Sequence, residues 1–236
     1  MIQTPLVLRI PELDDPAFVH GFSTIALGTV GLTHAPDPVP VLASRRAFAR
    51  AVGIGDEPLT TAGAVHGAMV ARVDEPKDVV QGVDGLVTNQ RGVALFATFA
   101  DCYPIVLWDP VKRVVGLAHS GWRGALAGVA KAAVNAMHDE YGSDPQNIRA
   151  GIGPGICGRC YEVGADVASQ FGSSFVRPGE GDRFLLDLAA ANRAQLEVAG
   201  VSDVHVLALC TKETDFLPSH RRTPDGTRFG AIVALR

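Results

Sequence analysis

Apolar residues in this chain come in short runs that follow one another more often than they alternate with helical segments. Gly85-Leu86-Val87-Thr88, Val93 to Phe99, Pro104 to Trp108 and Arg113 to Ala118 each read as a strand. Asp109-Pro110-Val111-Lys112 supplies a hairpin turn between the last two. From Ala125 the period changes. Leu126, Val129, Ala133, Val134 and Met137 recur at helical spacing, which predicts one long helix to about Met137. Further helical patterns cover roughly Val41 to Val52 (after a loop at Asp37-Pro38-Val39-Pro40), Gly164 to Phe171, and Asp187 to Ala199. Strands are expected at Ile148 to Ile152, Val204 to Leu209 and Phe229 to Leu235. This order favours an α+β fold, with mixed β-sheets packed together and flanked by helices, over a doubly wound one. No stretch reads as a linker, so residues 1–236 are expected to form a single domain.

Composition narrows the function classes. The 236 residues are 47% apolar and carry a formal net charge of −4 with no block of Lys or Arg, which argues for an ordinary core and against a nucleic-acid surface. No run approaches membrane-spanning length, and Met1-Ile2-Gln3-Thr4-Pro5-Leu6-Val7 lacks the basic and apolar regions of a signal peptide. A cytoplasmic protein is the expectation, either a monomer or a weak dimer. Cys102, Cys157, Cys160 and Cys210 are too few for a disulfide scaffold, so ligation, catalysis or burial is expected of them.

His119-Ser120-Gly121-Trp122-Arg123-Gly124 places an imidazole at a strand end and an arginine where a helix begins, a combination suited to an anionic substrate. Cys102, in Ala100-Asp101-Cys102-Tyr103-Pro104, is kept out of helix by the following proline. His66, in Ala64-Val65-His66-Gly67, ends another β-like run. Two imidazoles and a thiolate form a three-ligand set that suits Zn²⁺ with a fourth position open. Copper is less favoured. A blue-copper site adds an axial methionine, and of Met1, Met69 and Met137 only Met69 is near a proposed ligand in sequence. A Cys-His hydrolase is the other reading, with Cys102 as nucleophile, His119 as base, and Asp101 or another acid orienting the imidazole. His66 discriminates the two, because only a metal site needs it.

Elsewhere, Cys157-Gly158-Arg159-Cys160 is a lone CxxC, favoured as a glycine-rich turn with two incidental cysteines. Gly151 to Gly158 could bring backbone N–H groups to a ligand, and Tyr161 could stack on a base or cover the core. His220-Arg221-Arg222 is either a solvated loop or a phosphate-facing element. His20, His34, His138 and His205 are given structural roles.

Together these motifs resemble one family: His20-Gly21-Phe22-Ser23-Thr24, Val65-His66-Gly67, Asp84-Gly85-Leu86-Val87-Thr88-Asn89, Ala100 to Ile105, His119 to Gly124, Gly153-Pro154 with Cys160-Tyr161-Glu162-Val163, Cys210-Thr211, and Ser219-His220-Arg221-Arg222. The chain is similar to the laccase-domain proteins, long labelled multicopper polyphenol oxidases and regarded as zinc-dependent purine nucleoside phosphorylases. The resemblance implies that His66, Cys102 and His119 bind the metal. It implies phosphorolysis of adenosine, inosine, guanosine and methylthioadenosine, with adenosine deamination as a side activity. A related role in editing peptidoglycan precursors and a distant likeness to toxin-type cysteine hydrolases are its alternatives. Cys102, His119 and Arg123 are then the expected catalytic residues, and Arg123, Tyr161 and Arg222 the expected substrate contacts, with nucleoside and phosphate as partners. The sequence departs from the family pattern at Ile25, Ala64, Leu217-Pro218 and Thr227-Arg228-Phe229, all outside the three metal positions.

Overall fold

Phe229–Leu235 shows how the body of the protein is built. Phe229, Ala231, Val233 and Leu235 enter one apolar cluster, while Ile232 and Ala234 enter another on the opposite face. The strand is buried on both sides, and so reads as a continuous apolar run rather than an alternation. Ala94–Phe99 divides likewise, with Leu95, Ala97 and Phe99 on one face and Ala94 and Phe96 on the other.

The computed structural model describes residues 4–33 and 35–236. Met1 to Gln3 and His34 lie outside the described residues, including the structural role expected of His34. Two six-stranded mixed sheets stack face to face. The first runs Val7–Leu8, Phe18–Ser23, Phe229–Leu235, Ala94–Phe99, Leu59–Gly63, Val79–Gln81, antiparallel at first and parallel at its last two pairings. The second runs Asp203–Val206, Arg149–Ile152, Tyr103–Asp109, Val114–Ser120, Gly85–Thr88, Val70–Arg72, parallel at both ends and antiparallel between. Phe22, Phe99 and Phe229 from the first sheet meet Val106, Trp108 and Leu117 from the second in the shared core.

Helices close the outer faces. Helix α1 (Pro38–Val52) covers the first sheet through Phe48, Ala49 and Val52. After α2 (Trp122–Ala127), helices α3 (Val129–Tyr141) and, beyond the short α4 (Ala165–Ala168), α5 (Leu188–Val198) cover the second through Val134, Met137, Leu188 and Leu196. The order is thus helix, sheet, sheet, helices, in agreement with the expected class. A small third sheet of Glu162–Val163, Phe184–Leu186 and Val176–Pro178 lies to one side. Among the described residues no helix is long and apolar enough to cross a membrane.

Four sequence expectations change. Helix α1 starts at Pro38, because prolines in a first helical turn forfeit no intrahelical bond and Asp37 caps the Val39 N–H. The expected long helix is two, divided where Gly128 takes a left-handed φ of 82° and closes α2. Gly164 to Phe171 yields only the single turn of α4. The strand expected to reach Leu209 ends at Val206.

His20 has the structural role expected of it. It stacks on Phe18, which stacks on Trp108, and its Nε2 accepts the Ile10 N–H at 2.9 Å. Burial first, partly offset by Asp14, lowers its pKa to about 4. The unfolded chain therefore takes up this proton before the folded one does. The stability this group confers is full above about pH 6.5 and is lost as pH falls toward about 4. Between pH 7 and 5 the loss should be on the order of 2 kcal/mol. Urea unfolding of the wild type and His20→Gln at both pH values checks this. The variant should lose distinctly less stability over that interval, and equal slopes would refute the assignment.

Candidate metal centre

A single carboxylate organises the site. Asp84 is fully buried at the start of Gly85–Thr88. Its Oδ2 accepts the N–H groups of Val65 (3.1 Å) and Gly67 (2.7 Å), and its Oδ1 accepts that of His66 (2.9 Å). Oδ1 also lies 3.2 Å from Nδ1 of His119, and the Asp84 carbonyl accepts the His119 N–H at 2.7 Å. The loop bearing His66 and the strand end bearing His119 thus hang from one residue. Asp84 was noted in the sequence only as part of a matching segment. Its partners lie up to 35 positions away, so no local spacing reveals its role.

His66 itself has a φ of 62°, a backbone region unfavourable to a residue with a Cβ, and its N–H bond to Asp84 holds it there. His119 is buried and forms part of Val114–Ser120 rather than following it. Its ring meets that of His66 edge to face with centroids 5.0 Å apart, and packs on Phe99 at 5.2 Å. Cys102 completes the set: the ligand atoms of His66, Cys102 and His119 all lie within 4.8 Å of one another. Gly121 leaves the space. A Cβ there would stand 2.9 Å from Cys102 Sγ and 3.2 Å from a His66 ring carbon. Gly124 lets α2 approach the same loop, since its Cβ would stand 3.1 Å from the Gly67 carbonyl oxygen.

Charge is arranged to match. Burial opposes ionisation of Cys102, but His119 and His66 outweigh it and the thiol falls to about 6. Burial opposes protonation of His119, but Cys102 and Asp84 outweigh it and the imidazole rises to about 9. Burial raises Asp84, yet the bonds from His119, Gly67 and Val65 hold it below the usual carboxylate range. A thiolate ligand is therefore available at neutral pH, and a soft divalent cation fits the donor set.

Asp101 does not orient His119. It has a φ of 81°, and its carboxylate accepts from Thr211 Oγ1 (2.6 Å) and the Arg221 N–H (2.7 Å). The acid expected beside the imidazole is Asp84 instead. Arg123 is exposed at the start of α2, with its guanidinium over the Trp122 ring at 4.2 Å. Burial first raises the Tyr161 phenol to about 12; Cys102 and Asp101 raise it further, while Arg221 and Arg123 oppose them. Arg221 sits over the Tyr161 ring at 5.3 Å. Arg222, expected to face substrate, turns into its own loop, donating to the carbonyls of Thr211, Lys212, Thr214 and Leu217. Arg221 is the one of the pair that reaches Tyr161, and its guanidinium also donates to the Glu162 carbonyl at 2.9 Å.

Replacing Asp84 with asparagine would put an amide NH₂ where a carboxylate oxygen accepts part-buried N–H groups, a cost of about 1–3 kcal/mol. It should also weaken the cluster's hold on a zinc probe by about 10- to 100-fold. Chelator competition measures the affinity, and an unchanged value would remove the orienting role.

Residues 20–236 match the family model described as multi-copper polyphenol oxidoreductase laccase. A protein of Deinococcus radiodurans named purine nucleoside phosphorylase is 40% identical, covering 97% of this chain and 92% of its own length. Adenosine deaminase RL5, from an unknown prokaryotic organism, is 34% identical over 72% of this chain and 71% of its own. The crystal structure of YlmD from Geobacillus stearothermophilus has a TM-score of 0.89 at 31% identity, covering 100% of this chain and 98% of that one. With the family model matched over nearly the whole length and relatives this similar, the chain belongs to the multi-copper polyphenol oxidoreductase laccase family.

Proposed function

We propose that residues 1–236, as one domain, form a zinc-dependent purine nucleoside phosphorylase with adenosine deamination as a side activity, held in the cytoplasm. The observation that carries the reading is the pairing of the His66, Cys102 and His119 cluster with a rim of opposite character. In that rim Arg123 follows closely on Gly121, which faces Cys102 and His66, while Arg221 bonds through its N–H to Asp101, beside Cys102, and lies over the Tyr161 ring. The relatives' names, purine nucleoside phosphorylase and adenosine deaminase, support the same chemistry. Zinc suits a set of two imidazoles and one thiolate without a methionine. Met137 is buried against Gly116 and the Met69 side chain is exposed.

In phosphorolysis a phosphate oxygen bonds to C1′ of the ribose while the C1′–N bond to the purine breaks, leaving the base with the electron pair and a proton to gain. Arg123 binds the phosphate, and its stacking on Trp122 limits where the guanidinium can point. Tyr161 offers an aromatic face to the purine, with Arg221 fixed against the ring and the Arg222 bonds holding that loop in place. Asp84 holds the His66 backbone and the His119 ring in place. A zinc ion held by His66, Cys102 and His119 would supply Lewis acidity to both reactions, in deamination toward the water that displaces the C6 amino group as ammonia.

One geometric fact favours a second reading. Cys102, His119 and Asp84 stand in the order of nucleophile, base and orienting acid, as a cysteine hydrolase requires. A hydrolase of that kind, including one that edits peptidoglycan precursors, would keep its activity in a chelator and after loss of His66.

Adenosine incubated with the zinc-loaded protein should give adenine and ribose 1-phosphate only when phosphate is present, as read by chromatography. Cys102→Ala should abolish both products. Inosine alone would make the chain a deaminase, and no turnover of either kind would support the precursor-editing hydrolase. Arg123→Ala should lower kcat/KM for phosphate by about tenfold or more, the value of a charged hydrogen bond of about 1.5–3 kcal/mol, and spare deamination. Equal losses in the two activities would remove Arg123 from phosphate binding.

A further inference from the structure

Cys157-Gly158-Arg159-Cys160 and Cys210-Thr211-Lys212-Glu213 fold into the same kind of turn. In the first, the Cys157 carbonyl accepts the N–H groups of Cys160 (2.9 Å) and Tyr161 (3.0 Å). In the second, the Cys210 carbonyl accepts those of Glu213 (3.2 Å) and Thr214 (2.9 Å). Each turn therefore presents the side chains of its first and fourth residues together. The two turns are locked face to face. Gly155 pairs with Cys210 in an isolated parallel bridge, and the Cys157 N–H donates to Cys210 Sγ at 3.3 Å. Gly158 lets the first turn approach the start of α5, since a Cβ there would stand 2.9 Å from the Cβ of Asp187.

The cysteines of the CxxC are thus not incidental. The ligand atoms of Cys157, Cys160, Cys210 and Glu213 all lie within 4.8 Å of one another. Cys160 Sγ is 3.4 Å from Glu213 Oε1, and Cys157 Sγ is 3.8 Å from Glu213 Oε2. A tetrahedral zinc with bonds of about 2.3 Å separates its sulfur ligands by about 3.8 Å, so the cluster needs only a small contraction to close on an ion. Three thiols and one carboxylate meet here, and Arg159 pairs with the carboxylate through Glu213 Oε2 at 2.9 Å. Arg159 is largely exposed, and this pairing leaves Oε1 to serve as the fourth ligand.

We infer that these four residues form a second, structural metal site of Cys₃Glu type for Zn²⁺, separate from the His66, Cys102 and His119 cluster. Four protein ligands leave no open position, so the ion acts as a clamp rather than a catalyst. What it clamps is specific. Ile156, beside Cys157, donates its N–H to the Asp101 carbonyl at 2.9 Å. Thr211, beside Cys210, donates its hydroxyl to the Asp101 carboxylate. The two turns therefore fix the residue that precedes Cys102. This site does not depend on the activity proposed above.

Metal analysis of the protein purified with zinc and without chelator tests the proposal. Wild type should hold about two zinc ions per chain, and Cys102→Ser and Cys160→Ser about one each. X-ray absorption at the zinc edge of Cys102→Ser should then show a shell of about three sulfurs and one lighter atom. Glu213→Gln covers the case in which Cys160→Ser fails to fold, and should weaken the retained ion in a Cys102→Ser background. A single zinc in wild type that Cys102→Ser abolishes would overturn the site, as would a sulfur-poor shell in that variant. A disulfide among Cys157, Cys160 and Cys210 in freshly purified protein, seen by alkylation and mass measurement, would overturn it too.

Discussion

The burial of Asp84 is the constraint on which the arrangement of His66, Cys102 and His119 depends. A carboxylate with no access to water costs several kcal/mol unless its lone pairs are filled. Here the donors that fill them are the successive N–H groups of Val65, His66 and Gly67 and the ring of His119. The chain cannot satisfy Asp84 without folding the His66 loop around it. It cannot fold that loop without bringing His66 beside His119. The left-handed backbone at His66 follows from the same requirement, because three consecutive N–H groups converge on one carboxylate only if the chain curls tightly.

A proton economy follows from this geometry. Asp84 and Cys102 flank His119, one on each side, and both favour a positive charge between them. Without a metal that charge is a proton on the imidazole. With one it would be the ion, and the imidazole would take the neutral form that ligation requires, still aimed by Asp84 through Nδ1. The same three residues therefore satisfy two chemistries, and His66 separates them. A cysteine hydrolase has no use for a second imidazole, yet this structure holds His66 against both other ligands at the expense of an unfavourable φ.

Much of this was legible in the sequence where physics is local. Strands buried on both faces write continuous apolar runs, so Gly85–Thr88 and Phe229–Leu235 were bounded correctly and the hairpin at Asp109 to Lys112 followed. The convergence of His66, Cys102 and His119 was readable from residue type and placement at strand ends, and from the family resemblance. Failures arose where a local signal had two meanings. Pro38 and Pro40 break a helix interior but suit its first turn, and Gly128 interrupts an apolar period that continues on both sides of it. Arg221 and Arg222 are equivalent as a pair of letters; only their acceptors distinguish them, four carbonyls of its own loop for Arg222 and the Glu162 carbonyl and Tyr161 ring for Arg221. Asp84 and Glu213 were illegible for a different reason: each meets side chains whose positions are set by strand order rather than by spacing.

That strand order also explains why two ligand clusters share one end of the sandwich. His119 closes Val114–Ser120, Cys102 precedes its antiparallel neighbour Tyr103–Asp109, and Cys157 follows Arg149–Ile152, the next strand over. Antiparallel neighbours place the end of one strand beside the start of the next, so all three cysteine- and histidine-bearing loops emerge at one rim. Asp101 stands between the clusters with the left-handed φ that turns the chain from Ala94–Phe99 in the first sheet into Tyr103–Asp109 in the second. Its bonds to Ile156, Thr211 and Arg221 compensate that conformation and tie the crossover to the turns of the Cys157 cluster. The position of Cys102 is thus set from both sides, by the histidines that lower its thiol and by the clamped turns that hold its neighbour.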